Sequence, residues 1–198
     1  DRAEAALTAS DYDAALLACT DAENIKVTTE TRKLRKRTLD LQKRAEWTVR
    51  GDDAMISRDY RTAAIAYENA IQLEPSEELE IGARMAGAHV LYEEALTDIA
   101  KGDLLTAEQK LQTSNWRFAS PETKAKLSLM APAFDAARRA RRADWAMERE
   151  DYAEAAALYA QAIPKLPEPA NTAVQQKLLQ AQQAEANAKK KGTDQPEN

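Results

Sequence analysis

The stretch Asp151–Ile163 reads DYAEAAALYAQAI, and 92 residues earlier Asp59–Ile71 reads DYRTAAIAYENAI. At that offset Asp59/Asp151, Tyr60/Tyr152, Ala63/Ala155, Ala64/Ala156, Tyr67/Tyr159, Ala70/Ala162, Ile71/Ile163 and Pro75/Pro167 are identical. The spacings of 3, 4 and 3 between Tyr60, Ala63, Tyr67 and Ala70 lie on one face of a helix. Two weaker copies flank the first phrase: Asp11, Tyr12, Ala15, Cys19 and Ala22 before it, and Asp103, Leu104, Ala107, Leu111 and Ser114 after it. The four copies are 48, 44 and 48 residues apart. Self-similarity at such a period is the signature of a helical repeat.

Composition agrees. Alanine is the commonest residue, Gly (5) and Pro (7) are scarce among 198 residues, and strong helix formers fill most positions. An all-α protein is expected. The repeated phrases carry their own boundaries. Asp59 and Asp151 stand where an N-cap carboxylate would satisfy free backbone N–H groups, and Pro75, Pro164 and Pro167 stop the helices that follow. Between phrases lie longer helical stretches. Ser76 caps one, with Glu77 and Glu78 in its first turn, and Ser120 followed by Pro121 opens another. Asn171 or Thr172 caps the last, with Gln175 completing a capping box. Each unit is therefore a long helix, a short turn and a shorter helix. Pro132, inside LSLMAPAFDAARRARR, either ends a short linking helix near Met130 or bends one long helix. Gly82 and Gly87 have a weaker form of the same role in the preceding unit.

These residues resemble the tetratricopeptide repeat (TPR), a helical hairpin of about 34 residues. With Pro75 as the closing proline, Trp47 falls on the family's aromatic position, Gly51 on its small residue and Tyr60 on its turn-side aromatic. Ala63, Tyr67 and Ala70 then form the small, large, small trio of the second helix. The copies fall near 1–27, 44–77, 88–121 and 136–169. In the last, Arg139 replaces the aromatic and Ala143 the glycine. The resemblance implies one domain over 1–191: an α-solenoid of stacked helix-turn-helix hairpins, wound as a TPR-like right-handed superhelix. A capping helix over 171–191 and a disordered tail over 192–198 are expected to follow the last hairpin. Periods of 44 to 48 exceed the family's by roughly three helical turns, so the first helices, or linking helices before them, are longer than usual. A divergent solenoid of another hairpin type is the alternative fold.

The chemistry in the sequence is sparse. No Gly-rich phosphate loop, G-x-S-x-G or H-E-x-x-H is present. His89 is the single histidine and Cys19 the single cysteine, so neither a two-histidine metal site nor an internal disulfide can form. Cys19 holds the large position of the trio and reads as a packed apolar residue. No enzymatic activity, metal or cofactor is expected. The net charge of −5 and pI near 5.2 run against nucleic-acid binding. The cluster Arg32–Arg37 reads chiefly as a solvated face balanced by acidic neighbours such as Asp40 and Glu46, with a phosphate or acidic partner as the competing reading, whereas Arg138–Arg142 opens the first helix of the last copy and some of its arginines are expected to reach the groove. No apolar run approaches the ~18 residues of a membrane span.

By resemblance, the chain is a non-enzymatic scaffold that binds a protein or peptide in a concave groove lined by its first helices. The implied groove residues are Thr48, Asp52 and Met55; His89, Tyr92 and Leu96; and Arg141, Asp144 and Met147. The family's clamp for a terminal carboxylate is not expected, because Thr48 and Asp52 sit where lysine and asparagine are wanted. The alternative is a structural or regulatory segment of a larger protein, such as a membrane-anchored bacterial envelope component. The first copy is clipped at Asp1, which fits a fragment. An envelope or periplasmic location follows if a signal or anchor precedes Asp1, and a cytoplasmic one otherwise.

Overall fold

The computed structural model describes residues 2–193. Among the described residues the chain is all-helical: α1 (Arg2–Thr8), α2 (Tyr12–Ile25), α3 (Thr29–Ile56), α4 (Tyr60–Leu73), α5 (Glu77–Lys101), α6 (Leu104–Arg117), α7 (Pro121–Glu148), α8 (Tyr152–Ala162), a 3-10 turn (Ile163–Lys165) and α9 (Ala170–Thr193). The chain divides into two compact units, Asp1–Val90 and Leu91–Asn198. The expected tail over 192–198 lies mostly outside the described residues; 192 and 193 close α9.

The repeated phrase begins at one recurring turn. Ser10, Arg58, Gly102 and Glu150 all have positive φ, at 57°, 61°, 84° and 61°. Each is followed by the aspartate that opens the next helix. The aspartate N–H bonds back to a carbonyl five residues earlier, as in Asp59 to Ala54 (2.8 Å) and Asp151 to Ala146 (2.9 Å). The preceding N–H makes the inner bond, Arg58 to Met55 and Glu150 to Met147. This is a Schellman ending, which satisfies the carbonyls left over at a helix C-terminus. The same aspartate then serves the next helix: Asp11, Asp59, Asp103 and Asp151 accept the N–H of Ala14, Thr62, Thr106 and Glu154 through Oδ1, at 3.0 to 3.3 Å. Hydrogen bonding from Thr62 holds the Asp59 carboxyl below the usual carboxylate range.

The long first helices need no separate linkers. α3 and α7 each run 28 residues and α5 runs 25. α7 continues through Pro132 with its exposed ring on the outside, at the cost of the bond its missing N–H would make. α5 likewise passes through Gly82 and Gly87 unbroken. Thr28 caps α3 in a reciprocal box with Thr31, and Ser120 caps α7 with Pro121 in its first turn. At α9 the expected capping box does not form. Asn171 lies inside the first turn and donates to the Ile163 and Leu166 carbonyls (2.9 and 3.2 Å), while Gln175 donates to Asn171. The Glu168 carboxylate accepts from Thr172 instead.

In the first unit α1 packs on α2, α2 on α3 and α3 on α4. Its main core joins Ala54, Ala63, Tyr67, Ala70, Leu79 and Ala86, flanked by Trp47 and Met55. In the second, α6 packs on α7, α7 on α8 and α8 on α9, around Leu104, Leu111, Phe134, Tyr159, Leu166 and Val174. The trio of these phrases points inward: Ala63, Tyr67 and Ala70, Ala107, Leu111 and Ser114, and Ala155, Tyr159 and Ala162 are all buried. Ala15 and Cys19 are buried in the first copy, and burial pushes the Cys19 thiol up, away from reactivity.

Candidate functional site

The tyrosine of the trio does more than fill space. From α4, the Tyr67 hydroxyl donates to Asp52 on α3 at 2.7 Å. Ninety-two residues later, Tyr159 on α8 donates to Asp144 on α7 at 2.6 Å. Both rings are buried while both hydroxyls reach a carboxylate at the edge of the core. Burial, then the hydrogen bond, then the carboxylate's charge all raise the phenol pKa in each pair. The pairs are therefore fixed donor–acceptor couples. In the third copy the same spacing of fifteen joins Leu96 and Leu111, so the hydroxyl and its acceptor are replaced together.

Tyr67 is held closely. A Cβ on Gly51 would come within 2.7 Å of its ring and one on Gly82 within 3.1 Å. α3 and α5 thus approach the ring because neither has a side chain there. In the second unit the corresponding positions are Ala143 and Val174, and Tyr159 is accommodated between larger neighbours.

The carboxylate of each couple edges a cavity. In the first unit a cavity of about 440 Å³ is lined by Thr48 and Asp52 from α3, Tyr67 from α4, and Glu78 and Gly82 from the start of α5. In the second, about 390 Å³ lies against Arg141 and Asp144 from α7 and Val174 and Lys177 from α9. Six lining positions of the two correspond in the repeat. Ala45, Thr48, Val49, Asp52, Glu78 and Gly82 line the first. Their counterparts 92 residues later, Ala137, Ala140, Arg141, Asp144, Ala170 and Val174, line the second.

Their charges differ. Asp144 accepts from the Lys177 ammonium at 2.7 Å as well as from Tyr159. Asp52 accepts from Tyr67, and its counterpart of Lys177 is Met85. Arg44, at the other end of the first cavity, has a buried Nε without a hydrogen-bond partner.

The structure thus brings Thr48 and Asp52 to one cavity and Arg141 and Asp144 to another. Arg141 also lies over the Trp145 ring, 5.8 Å from its centroid. Met55, Tyr92 and Met147 are half-buried against the cores. His89 stacks on Tyr60 with ring centroids 4.3 Å apart, and Leu96 is half-buried. Of the basic clusters, Arg35 pairs with Glu23 at 2.7 Å, and Arg138 binds both Glu108 and Asp135. Lys33, Lys36 and Arg37 share a further cavity with Asp40 and Glu74. Among the described residues no group of three His, Cys, Asp or Glu side chains is placed to hold a metal ion, and no helix is long and apolar enough to cross a membrane.

The Tyr–Asp couples escape a reading of helix faces, because their members lie fifteen residues apart on different helices. The signal was the recurrence of that spacing with matched residue types. In comparisons with family models, curated proteins and solved structures, nothing matches this chain.

Proposed function

We propose that this chain is a non-enzymatic scaffold of the TPR-like solenoid class, which binds a protein or peptide partner at its first-helix face. The observation that carries the reading is the pair of cavities that share repeat positions but differ in lining. The recurring turn and the buried trio support a stacked-hairpin architecture in which the shared residues serve packing. Residues that differ at matched cavity positions, such as Thr48/Ala140 and Val49/Arg141, have no such duty and are available for recognition. The couples suit binding better than catalysis: a phenol with a raised pKa is a weaker acid, and its carboxylate is already engaged.

The test is site-resolved capture. A photo-crosslinking amino acid placed at Val49 or Arg141, both exposed and cavity-lining, should trap the same discrete protein in cells that express the chain natively. Placed at Glu68 or Gln112, exposed on second helices, it should not. Adducts that are indifferent to position would contradict the proposal.

A further inference from the structure

From the two unequal cavities we infer that the first unit's cavity receives a lysine side chain from a partner protein, docked on Asp52. This deepens the scaffold reading and rests on it. The second unit holds the template. There the Asp144 carboxylate, oriented by Tyr159, accepts an ammonium from Lys177 at 2.7 Å. Asp52 is oriented by Tyr67 in the same way, but among the described residues no lysine of its own unit lines the cavity at the ammonium position.

Around it the lining has changed in the direction an incoming cation needs. Ala170 is replaced by Glu78, adding a second carboxylate, and Arg141 by Val49, removing a cation, while the space beside Gly82 is taken by the Tyr67 ring. Ala140 is replaced by Thr48, although the Thr48 hydroxyl is partly engaged with the Arg44 carbonyl at 3.0 Å. Arg44 lines the same cavity. It precedes Asp52 by two turns, about 12 Å along α3, so the cavity has a basic end and an acidic end. A half-exposed ion pair adds only modest affinity, so the lysine fixes register and selectivity more than strength.

The probe is a tetralysine peptide, with its fully Nε-acetylated form as control, titrated into the whole chain and followed by amide chemical shifts. The expected result is a saturable change centred on Thr48, Asp52 and Gly82, absent with the acetylated peptide. Asp52→Asn keeps an acceptor for Tyr67 and so preserves the fold, yet should weaken binding about fivefold. Lys177→Met should create a second responding site at Ala140 and Asp144. Shifts scattered over the acidic surface, equal binding of the acetylated peptide, or indifference to Asp52→Asn would overturn the inference. A partner crosslinked at Val49 with unchanged affinity after lysine acetylation would overturn it while leaving the scaffold reading standing. Peptide binding at Asp52 with position-blind crosslinking would do the reverse.

Discussion

Tyr67 concentrates the local physics of this molecule. Its ring is clamped between two helices that approach through glycines, and its hydroxyl is spent on Asp52. Gly51→Ala tests the clamp. Alanine gains about 1 kcal/mol in helix propensity, but the new methyl meets a ring with Gly82 close behind it, and overpacking costs about 1–3 kcal/mol. The clash wins, and urea unfolding should show a net loss of about 1 kcal/mol. In a Tyr67→Leu background the same substitution should become stabilising. The phenols also set an alkaline limit. Both tyrosines have pKa values raised by folding, so their stability contribution is fully present below the unfolded value of about 10 and is lost as pH rises through the folded value. Stability measured against pH should therefore fall above about pH 10, and Tyr67→Phe with Tyr159→Phe should flatten that fall. Each single Phe variant should cost about 1 kcal/mol near neutrality, through a carboxylate deprived of its donor. Tyr67 was legible as a packing residue because the trio repeats. Its bond to Asp52 was not, since a helix-face pattern carries no information about a partner on another helix.

The helices show what their boundaries depend on. The aspartate caps at Asp59 and Asp151 were readable because short acceptors before apolar periodicity have one good use, and the structure adds Asp11 and Asp103. The residues before them were hidden: of Ser10, Arg58, Gly102 and Glu150, only the glycine advertises a left-handed turn. That asymmetry is testable. Gly102→Ala forces a side chain into positive φ, 3.1 Å from the Ala170 backbone nitrogen, and should cost about 1–2 kcal/mol. Glu150→Gly removes a comparable strain but gives the unfolded chain more freedom, so its gain should be smaller, about 0.5 kcal/mol. Asp151→Ala removes the cap and should cost about 1 kcal/mol in chemical denaturation. Pro132 misleads for a different reason. Its missing hydrogen bond is local, whereas Ala133, Phe134, Ala136 and Ala140 are buried on the same helix, and that burial holds α7 together through the proline. Pro132→Ala should accordingly raise the melting temperature.

Among the described residues one turn is used four times at spacings of 48, 44 and 48 residues, and the excess over a standard hairpin is absorbed by first helices of 25 and 28 residues. The repeat was legible because packing imposes the same residues wherever it recurs. The cavities were only half legible. The family pattern selected Thr48, Asp52, Arg141 and Asp144, yet Glu78, Gly82 and Lys177 reach the same cavities from helices that follow the hairpin. Their contribution depends on packing between successive helices, which no single phrase encodes. The architecture stands on the recurring turn, so the decisive measurement is backbone NMR of the whole chain, reading φ from carbon shifts and amide couplings. Positive φ is expected at Ser10, Arg58, Gly102 and Glu150, each followed by a capping aspartate, with unbroken helical signals from 121 to 148. Helical φ at Arg58 and Glu150, with α3 running into α4 and α7 into α8, would contradict it.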